Sequence, residues 1–349
     1  MTQQSSVGLI PRKRLQWIPS SQRLAHEYCY FLHDSCVRVL VEYEKAEAHL
    51  VRFKFESKAE AEKFEAIADA DSAVAGLRAI GRLEEARRVV LNTVTLALVS
   101  DCMHHIFEAL RCMERRKFVV ALNLLRKPLL DSLVFLSWML GDEEDFYRTF
   151  TEQSPSGLTA KLVGNRRPLI ISSALSKTEI TDIIKADWVE STLFDPANKR
   201  GLYWLLQRAV HLITTQKVEL RTEPENFNFI FKRHTDDDVY VGVYDALPGV
   251  LLYLSHIVME LFQRIQPMDE GAKRAFTVRS TGGYHLVRRS EAGLQIQHHF
   301  VNLLATLKCA ACETSLKFTH HNCARILLNE SFRCSTCRRV TPFPFAWLF

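Results

Sequence analysis

Four of the nine cysteines are spaced as two matching pairs near the C-terminal end of the chain. Cys309 and Cys312 enclose Ala-Ala, Cys334 and Cys337 enclose Ser-Thr, and 21 residues separate the two pairs. Two thiolates two residues apart can bind one ion from a tight turn, and two such pairs complete a tetrahedral shell for one Zn²⁺. Because protein sulfur then fills every position on the metal, we expect a structural zinc that activates neither water nor substrate.

The residues around these pairs, from about 305 to 345, resemble the zinc ribbon family. In that family each cysteine knuckle is followed by a β-strand, which the resemblance places at Ser315–Thr319 and Val340–Phe345. Ribbon knuckles usually carry glycine shortly after the second cysteine, whereas this chain has Glu313 and Arg338. Either His320, His321 or Cys323 is an alternative zinc ligand, although their clustering between the knuckles also fits an ordinary loop.

Positive charge is concentrated in the same part of the chain. Residues 271–349 contain eleven Lys or Arg and three acidic residues, a net charge of +8, whereas the whole chain carries +5. A dense cationic surface attracts phosphate backbones, so we expect RNA or DNA to bind near the knuckles. The candidate contact residues are Lys308, Lys317, Arg325, Arg333, Arg338 and Arg339. The alternative is a metal-stapled module that docks on the helical body or on a partner, with its charges in water.

The last seven residues, Phe343–Phe349, are apolar apart from the backbone. Leaving several large apolar side chains in water costs about 1.5–3 kcal/mol each, so this segment is expected to dock. It packs either on the chain's own helices or on a protein partner or second copy, which would make the protein an interaction scaffold.

Two further groups of polar residues are candidates for chemistry. Asp101, His104, His105 and Glu108 share one apolar helical run, and this spacing allows either half of a metal site or a hydrogen-bonded structural cluster.

The pattern of residues 85–150, with apolar runs such as Leu133–Leu140, resembles the long helices of HEPN-like bacterial bundle proteins. That resemblance implies an all-α bundle and a metal-independent ribonuclease of a defence or toxin system.

HEPN-like chemistry requires an Arg followed four to six residues later by a His, and Arg279 with His285 has this spacing. Two glycines between them favour a turn instead, within a hairpin that joins Ala275–Val278 to Tyr284–Val287. The sequence therefore leaves an enzyme open but favours a binding protein. No phosphate loop, nucleophile elbow or HExxH motif occurs in the chain.

The elements that must position these residues are mostly helical. Periodic apolar positions or capping residues mark helices over Arg23–Ala48, after Ser57 and over Leu83–Met113. Thr235, followed by three aspartates, marks the start of another helix. We therefore predict a mainly α, bundle-like body followed by a small β-containing zinc ribbon. The predicted divisions are a basic N-terminal arm (1–20), a helical domain (21–268), a connecting basic segment (269–304) and the ribbon with its apolar tail (305–349).

Composition agrees with a folded protein, at 47% hydrophobic and 24% charged residues, and excludes collagenous or wholly disordered classes. We expect no membrane association, because apolar runs such as Leu247–Phe262 are interrupted by polar residues. The N-terminus lacks the order of a secretory signal, so we expect a cytoplasmic protein whose cysteines are thiols or metal ligands.

Overall fold

The computed structural model of the protein describes residues 6–152, 158, 163–215, 220–225, 227–228, 237–304 and 306–348. These residues are mostly helical, with one small antiparallel sheet near the cysteines, as the sequence predicts. The helices are α1 (Arg23–Lys45), α2 (Lys58–Ala70), α3 (Ala73–Ala79), α4 (Leu83–Met113), α5 (Phe118–Arg126), α6 (Leu133–Gly141), α7 (Glu143–Glu152), α8 (Arg167–Leu175), α9 (Ala186–Phe194), α10 (Leu202–Val210), α11 (Asp238–Ile265), α12 (Glu270–Arg288), α13 (Glu291–Leu303) and α14 (His320–Asn329). The strands are β1 (Ser331–Arg333) and β2 (Val340–Pro342).

Helix α11 forms the centre of the body, and it packs against α1, α4, α6 and α12. Its side chains are buried almost without interruption from Val239 to Phe262. Two helices, α4 and α11, are long and apolar enough to cross a membrane by length and composition alone. The most apolar window of α11 is 83% buried inside the protein, and that of α4 is 39% buried. Burial of this extent in α11 is typical of a core helix.

Local sequence signals explain where several helices begin and bend. The Ser57 hydroxyl accepts a hydrogen bond from the Glu60 N–H at 3.2 Å and caps α2, as the sequence predicts. Proline lacks an amide hydrogen, and the chain takes a π-helical turn at Lys127–Ser132 around Pro128 before it continues as α6. The two helices α5 and α6 thereby follow each other without a loop.

The expected hairpin around Gly282 and Gly283 is wrong, because both glycines lie within helix α12. A Cβ atom at Gly283 would lie 2.8 Å from a Leu328 methyl carbon and 2.9 Å from the Tyr28 ring. Glycine therefore serves here to let α12 approach α1 and α14 closely, rather than to turn the chain. The same packing places α14, and with it the C-terminal module that contains the four paired cysteines (residues 306–348), directly against the helical body.

One hydrophobic core extends from Val7 near the N-terminus to Phe332 in β1. The N-terminal segment contributes Val7, Leu15 and Ile18, which are almost fully buried. Near the other end of the chain, Phe343 and Phe345 pack against the same core, and the Phe345 ring lies 5.6 Å from that of Phe300. These two aromatic residues of the C-terminal segment therefore dock on the chain's own helices.

Candidate metal centre

The two cysteine pairs lie in turns of the same construction. In the first turn, the Glu313 N–H donates to the Cys309 carbonyl at 2.8 Å, and the Cys309 N–H donates to the Thr314 carbonyl at 2.9 Å. In the second turn, the Arg338 N–H donates to the Cys334 carbonyl at 3.1 Å, and the Cys334 N–H donates to the Arg339 carbonyl at 3.0 Å. The backbone thus repeats the same pair of hydrogen bonds around each Cys-x-x-Cys sequence.

Glu313 and Arg338 occupy equivalent places in the two turns, and both have a left-handed backbone conformation. Their φ angles are +55° and +66°, in the region that glycine adopts most easily. These are the positions where ribbon knuckles usually carry glycine. The left-handed conformation is therefore present at both positions although neither residue is glycine, and two L-residues carry its conformational cost.

The sulfur atoms of the four cysteines all lie within 4.8 Å of one another. The Cys309 and Cys337 sulfurs are 3.7 Å apart, as are those of Cys312 and Cys334. Four sulfurs bound at about 2.3 Å to a tetrahedral ion are about 3.8 Å apart, whereas a disulfide brings two sulfurs to about 2.05 Å. The donor set and its spacing therefore fit one Zn²⁺ held by four thiolates.

The electrostatics of this group also call for a cation. The Thr314 hydroxyl and backbone N–H lower the pKa of Cys312 to about 6. Although a hydrogen bond from the Arg339 N–H lowers the pKa of Cys337, desolvation and then its three cysteine neighbours raise it overall, to about 11. Four thiolates this close repel one another, and a divalent metal ion bound among them would offset that repulsion.

Short secondary-structure elements hold each turn in place. Strand β1 pairs with β2 so that Arg333 lies opposite Val340. The last pair of this two-stranded sheet therefore directly flanks the second knuckle. An isolated bridge between Lys308 and Ser315 closes the first knuckle in the same way. The strand expected over Ser315–Thr319 is therefore reduced to this one bridge. Of the expected strand Val340–Phe345, the first three residues form β2.

The residues considered as substitute ligands have other partners. They lie in helix α14 rather than in the expected loop, and Thr319 caps the start of that helix. The Nε2 atoms of His320 and His321 lie 2.7 Å and 2.8 Å from the carbonyls of Leu286 and Ser6, respectively. Cys323 is fully buried, and burial raises the pKa of its thiol to about 12. The four-cysteine set is thus the one that the geometry supports.

The six basic candidates around the knuckles differ in exposure. Lys308, Lys317, Arg338 and Arg339 are exposed, and Arg333 is half-buried. Arg325 is only 8% exposed, and its guanidinium packs against the backbone of Gly8. Four of the six candidates are therefore exposed, whereas Arg325 is held inside the fold.

Arg279 and His285 both lie on α12, six residues apart, so their side chains leave the helix about 120° from each other. The Arg279 Nε donates to the Leu327 carbonyl at 2.6 Å, and its guanidinium lies 5.2 Å from the centre of the Phe31 ring. His285 Nδ1 lies 3.0 Å from the Ser290 hydroxyl, at the start of α13. Both side chains therefore connect α12 to neighbouring segments.

The polar group on α4 is dispersed along the helix surface. The Asp101 carboxylate pairs with Lys127 at 2.9 Å, while His105 Nδ1 lies 2.8 Å from the Asp101 carbonyl. His104 and Glu108 are exposed. Within the described part of the chain, the four cysteines form the one close group of three or more potential metal ligands.

A buried polar cluster around Glu114 was not predicted from the sequence. The Glu114 carboxylate is 3% exposed and accepts hydrogen bonds from Arg14, Tyr30 and Arg111. Burial alone would raise the pKa of Glu114, but the neighbouring His26, with Nε2 3.5 Å from the carboxylate, and hydrogen bonds from Arg14 and Tyr30 lower it to about 2. Glu114 begins a run of charged residues after α4, and nothing in that run distinguishes a buried carboxylate from solvated ones.

The comparisons with known proteins leave the family open. None of the profiles of known protein families matches the chain, and neither the curated proteins nor the solved structures include a significant match. What the chain shows by itself is a mostly helical protein with a four-cysteine site suited to one metal ion.

Proposed function

We propose that the protein binds nucleic acid through a cationic surface on a C-terminal module that one structural Zn²⁺ stabilises. The observation that carries the proposal is the placement of four exposed cations on and beside the two knuckles. These cations are Lys308, Lys317, Arg338 and Arg339. Among the residues that the structure describes, no carboxylate forms an ion pair with any of them.

Charge of this kind suits a phosphate backbone. Each phosphate that a Lys or Arg neutralises releases condensed counterions, which gives affinity that depends steeply on salt and little on sequence. Phosphate contacts of this type position a protein on nucleic acid without reading bases. We therefore expect binding of either RNA or DNA with modest sequence preference.

Zinc contributes to this function by holding the cations in place. Both Arg338 and Arg339 belong to the second knuckle, and Lys308 directly precedes the first. A closed shell of four sulfurs leaves no position for water, so the ion orders the turns without taking part in a reaction. Loss of the metal is expected to disorder both turns and to weaken binding.

Two alternatives have less support. Phe343 and Phe345 already pack against the chain's own core, which reduces the apolar surface that would require a protein partner. Arg279 is 13% exposed and engages the Leu327 carbonyl, so the arrangement gives a structural reason for this residue without RNA cleavage.

The test uses the full-length chain, because the module shares one core with the helical body. The variant Lys308→Gln/Lys317→Gln/Arg338→Gln/Arg339→Gln is compared with wild type on a labelled 20-base-pair DNA duplex and a 20-nucleotide single-stranded RNA. We expect the slope of log K against log salt on the duplex to fall by about 0.9 for each phosphate that the variant no longer neutralises.

A control variant removes four exposed charges from the helical body instead. The control is Lys54→Gln/Lys58→Gln/Lys199→Gln/Arg200→Gln, and all four of these residues are exposed. The proposal predicts that the control keeps most of the wild-type slope. Absence of binding by wild type, or an equal reduction of the slope in both variants, would contradict it.

A further inference from the structure

Helices α12 and α13 are joined by a turn of only two residues, Arg289 and Ser290. Arg289 ends α12 in a left-handed conformation, and the Ser290 hydroxyl caps α13 by accepting a hydrogen bond from the Gly293 N–H at 3.3 Å. A Cβ atom at Gly293 would lie 2.6 Å from the His285 carbonyl oxygen, so glycine at this position lets the two helices approach closely. The start of α13 is therefore fixed against the end of α12.

The inner face of α13 packs against the C-terminal module. The Phe300 ring stacks on the Phe318 ring, with the ring centres 6.4 Å apart, and the Gln297 side-chain amide donates to the Phe318 carbonyl at 3.2 Å. Lys317, which directly precedes Phe318 in the chain, is exposed. These contacts therefore hold α13 beside a segment that carries one of the cations of the proposed function.

The outer face of α13 is exposed and nearly free of charge. No Lys or Arg lies in this helix, and its one acidic residue, Glu291, is in the first turn. Beyond Glu291, the exposed residues that the structure describes in the helix are Leu294, Gln295, His298, His299, Val301 and Asn302. At 3.6 residues per turn, these positions cover about 160° of the helix circumference. Exposed helix faces are ordinarily rich in charged residues, so a broad uncharged face is typical of a contact surface.

The side chains on this outer face suit the edges of base pairs. The amides of Gln295 and Asn302 can each form two hydrogen bonds with an adenine in the major groove. Leu294 and Val301, which are 60% and 40% exposed, can contact thymine methyl groups. Within the described part of the chain, the side chains of Gln295 and Asn302 make no hydrogen bond to another residue. Both amides are therefore available to a ligand.

Exposed cations lie at both ends of α13. Arg289 lies two residues before the first residue of the helix, and Lys308 lies five residues after the last. The Leu307 N–H donates to the Leu304 carbonyl at 3.0 Å, and the Leu316 N–H donates to the Leu307 carbonyl at 3.0 Å, so the path from α13 to Lys308 is fixed. No carboxylate among the described residues forms an ion pair with Arg289 or Lys308.

This arrangement is complementary to duplex DNA. The charges of a duplex lie on the phosphates at the two rims of each groove, and its base edges offer neutral hydrogen-bonding groups between them. The 13 residues of α13 span about 20 Å, and the major groove, which is about 12 Å wide, admits an α-helix. A protein partner for the same face would not require cations at both of its ends.

We infer that α13 enters the major groove of duplex DNA and reads base pairs through Gln295 and Asn302, while Arg289 and Lys308 contact the phosphates on either side. The inference rests on the proposed function and deepens it, because phosphate contacts alone position a protein without a choice of sequence. The outer face of α13 supplies that choice, and the C-terminal module holds the helix in place.

The test begins with selection by full-length wild type from a pool of DNA duplexes of random sequence. The Kd is then measured for the most enriched duplex and for a duplex with the same base pairs in scrambled order. We expect wild type to prefer the enriched duplex, and Gln295→Ala/Asn302→Ala to reduce the ratio of the two Kd values by about fivefold or more. Because both side chains are exposed and the cations remain, the salt slope on the scrambled duplex, the zinc content and thermal unfolding are expected to stay at wild-type values.

Two further variants separate base reading from other effects. The matched control Asn123→Ala/Gln266→Ala removes two exposed amides outside α13 and is expected to keep the wild-type ratio. An equal decrease of the ratio in both double variants, or no decrease in Gln295→Ala/Asn302→Ala, would refute the role of α13. Arg289→Gln is expected to lower the salt slope by about 0.9 and to leave the ratio unchanged. An unchanged slope in Arg289→Gln would refute its phosphate contact.

Duplex RNA of the enriched sequence provides a last comparison, because its major groove is too deep and narrow for side chains to read. Wild type is expected to bind enriched and scrambled RNA duplexes equally, and a preference as large as that on DNA would contradict reading in the major groove. If wild type binds DNA but enriches no sequence, base reading by α13 is refuted while the proposed function stands. If wild type binds neither DNA nor RNA, the proposed function fails and this inference fails with it.

Discussion

Replacing Glu313 by glycine is expected to strengthen zinc binding, although it removes a side chain from the site. Glu313 has a φ angle of +55°, directly after Cys312. The left-handed conformation costs an L-residue about 1–2 kcal/mol, and the greater freedom of glycine in the unfolded chain offsets about 0.5–1 kcal/mol of the relief. The remaining gain of roughly 0.5–1 kcal/mol corresponds to a zinc Kd about two- to fivefold lower.

The relief of backbone strain increases the affinity for zinc because metal binding and formation of the turn are coupled. The free energy of forming the turn is therefore part of the free energy of zinc binding. The assay is competition for zinc between the full-length protein and a chromogenic chelator at pH 7.5. Arg338→Gly, at the equivalent position with φ +66°, is expected to show a similar gain.

Two controls separate backbone relief from other effects. Glu313→Ala removes the same charge but keeps the left-handed cost, so its zinc Kd is expected to stay at or above the wild-type value. Glu47→Gly relieves a similar φ of +52° just after α1, far along the chain from the knuckles, and should leave the zinc Kd unchanged. A higher Kd for Glu313→Gly than for Glu313→Ala would refute the reasoning.

Three further predictions concern Glu114 and the cysteines. Glu114→Gln is expected to lower the free energy of unfolding by about 3–5 kcal/mol, since Arg14 and Arg111 lose their carboxylate partner. Denaturant titration measures the free energy of unfolding, and a decrease of less than about 1 kcal/mol would contradict the prediction. The pKa of Glu114 is lowered from 4.5 to about 2, so its contribution of about 3 kcal/mol to the free energy of unfolding is present above pH 4.5 and is lost as the pH falls toward 2. The difference in free energy of unfolding between wild type and Glu114→Gln should therefore shrink in acid. A difference that stays constant with pH would argue against the buried ion pair. Chelation of zinc is expected to make Cys312 and Cys337 reactive toward a thiol reagent, while Cys36, which is buried and has a raised pKa, stays protected in folded protein. Mass spectrometry counts the labels on each chain. Equal labelling with and without chelator would contradict the metal site.

Features of the sequence with a local physical cause were predictable. The long helix Leu83–Met113 has the predicted bounds, because an uninterrupted run without glycine or proline permits it. The Ser57 cap follows from hydrogen bonding within four residues. The four cysteines were found from spacing alone, since a metal site of this type is built from two local turns.

Features that depend on contacts distant in sequence were not predictable. Gly282 and Gly283 indicate a turn when read locally, but packing of α12 against Tyr28 and Leu328 explains them instead. The polar start of α14 likewise resembles a loop, although its histidines face carbonyls of Leu286 and Ser6. Neither contact leaves a periodic trace in the sequence.

The same limit applies to the anchored N-terminal segment. Glu27 sits in an amphipathic helix, and its carboxylate finds backbone N–H groups some 20 residues earlier in the chain. A single sequence shows which residues carry charge, but it does not show which distant segments of the chain contact each other in the fold. The contacts of the N-terminal segment with Glu27 of α1 and Asn329 of α14 are therefore a result of the fold alone.

The central claim is that one zinc ion holds the C-terminal module together, and metal analysis of full-length protein tests it most directly. Protein purified without added metal is expected to contain about one zinc per chain, and Cys334→Ser/Cys337→Ser is expected to contain none. The control Cys112→Ser changes a cysteine outside the site and should retain the metal. Folded wild-type protein without metal, or an undiminished zinc content in Cys334→Ser/Cys337→Ser, would contradict the account.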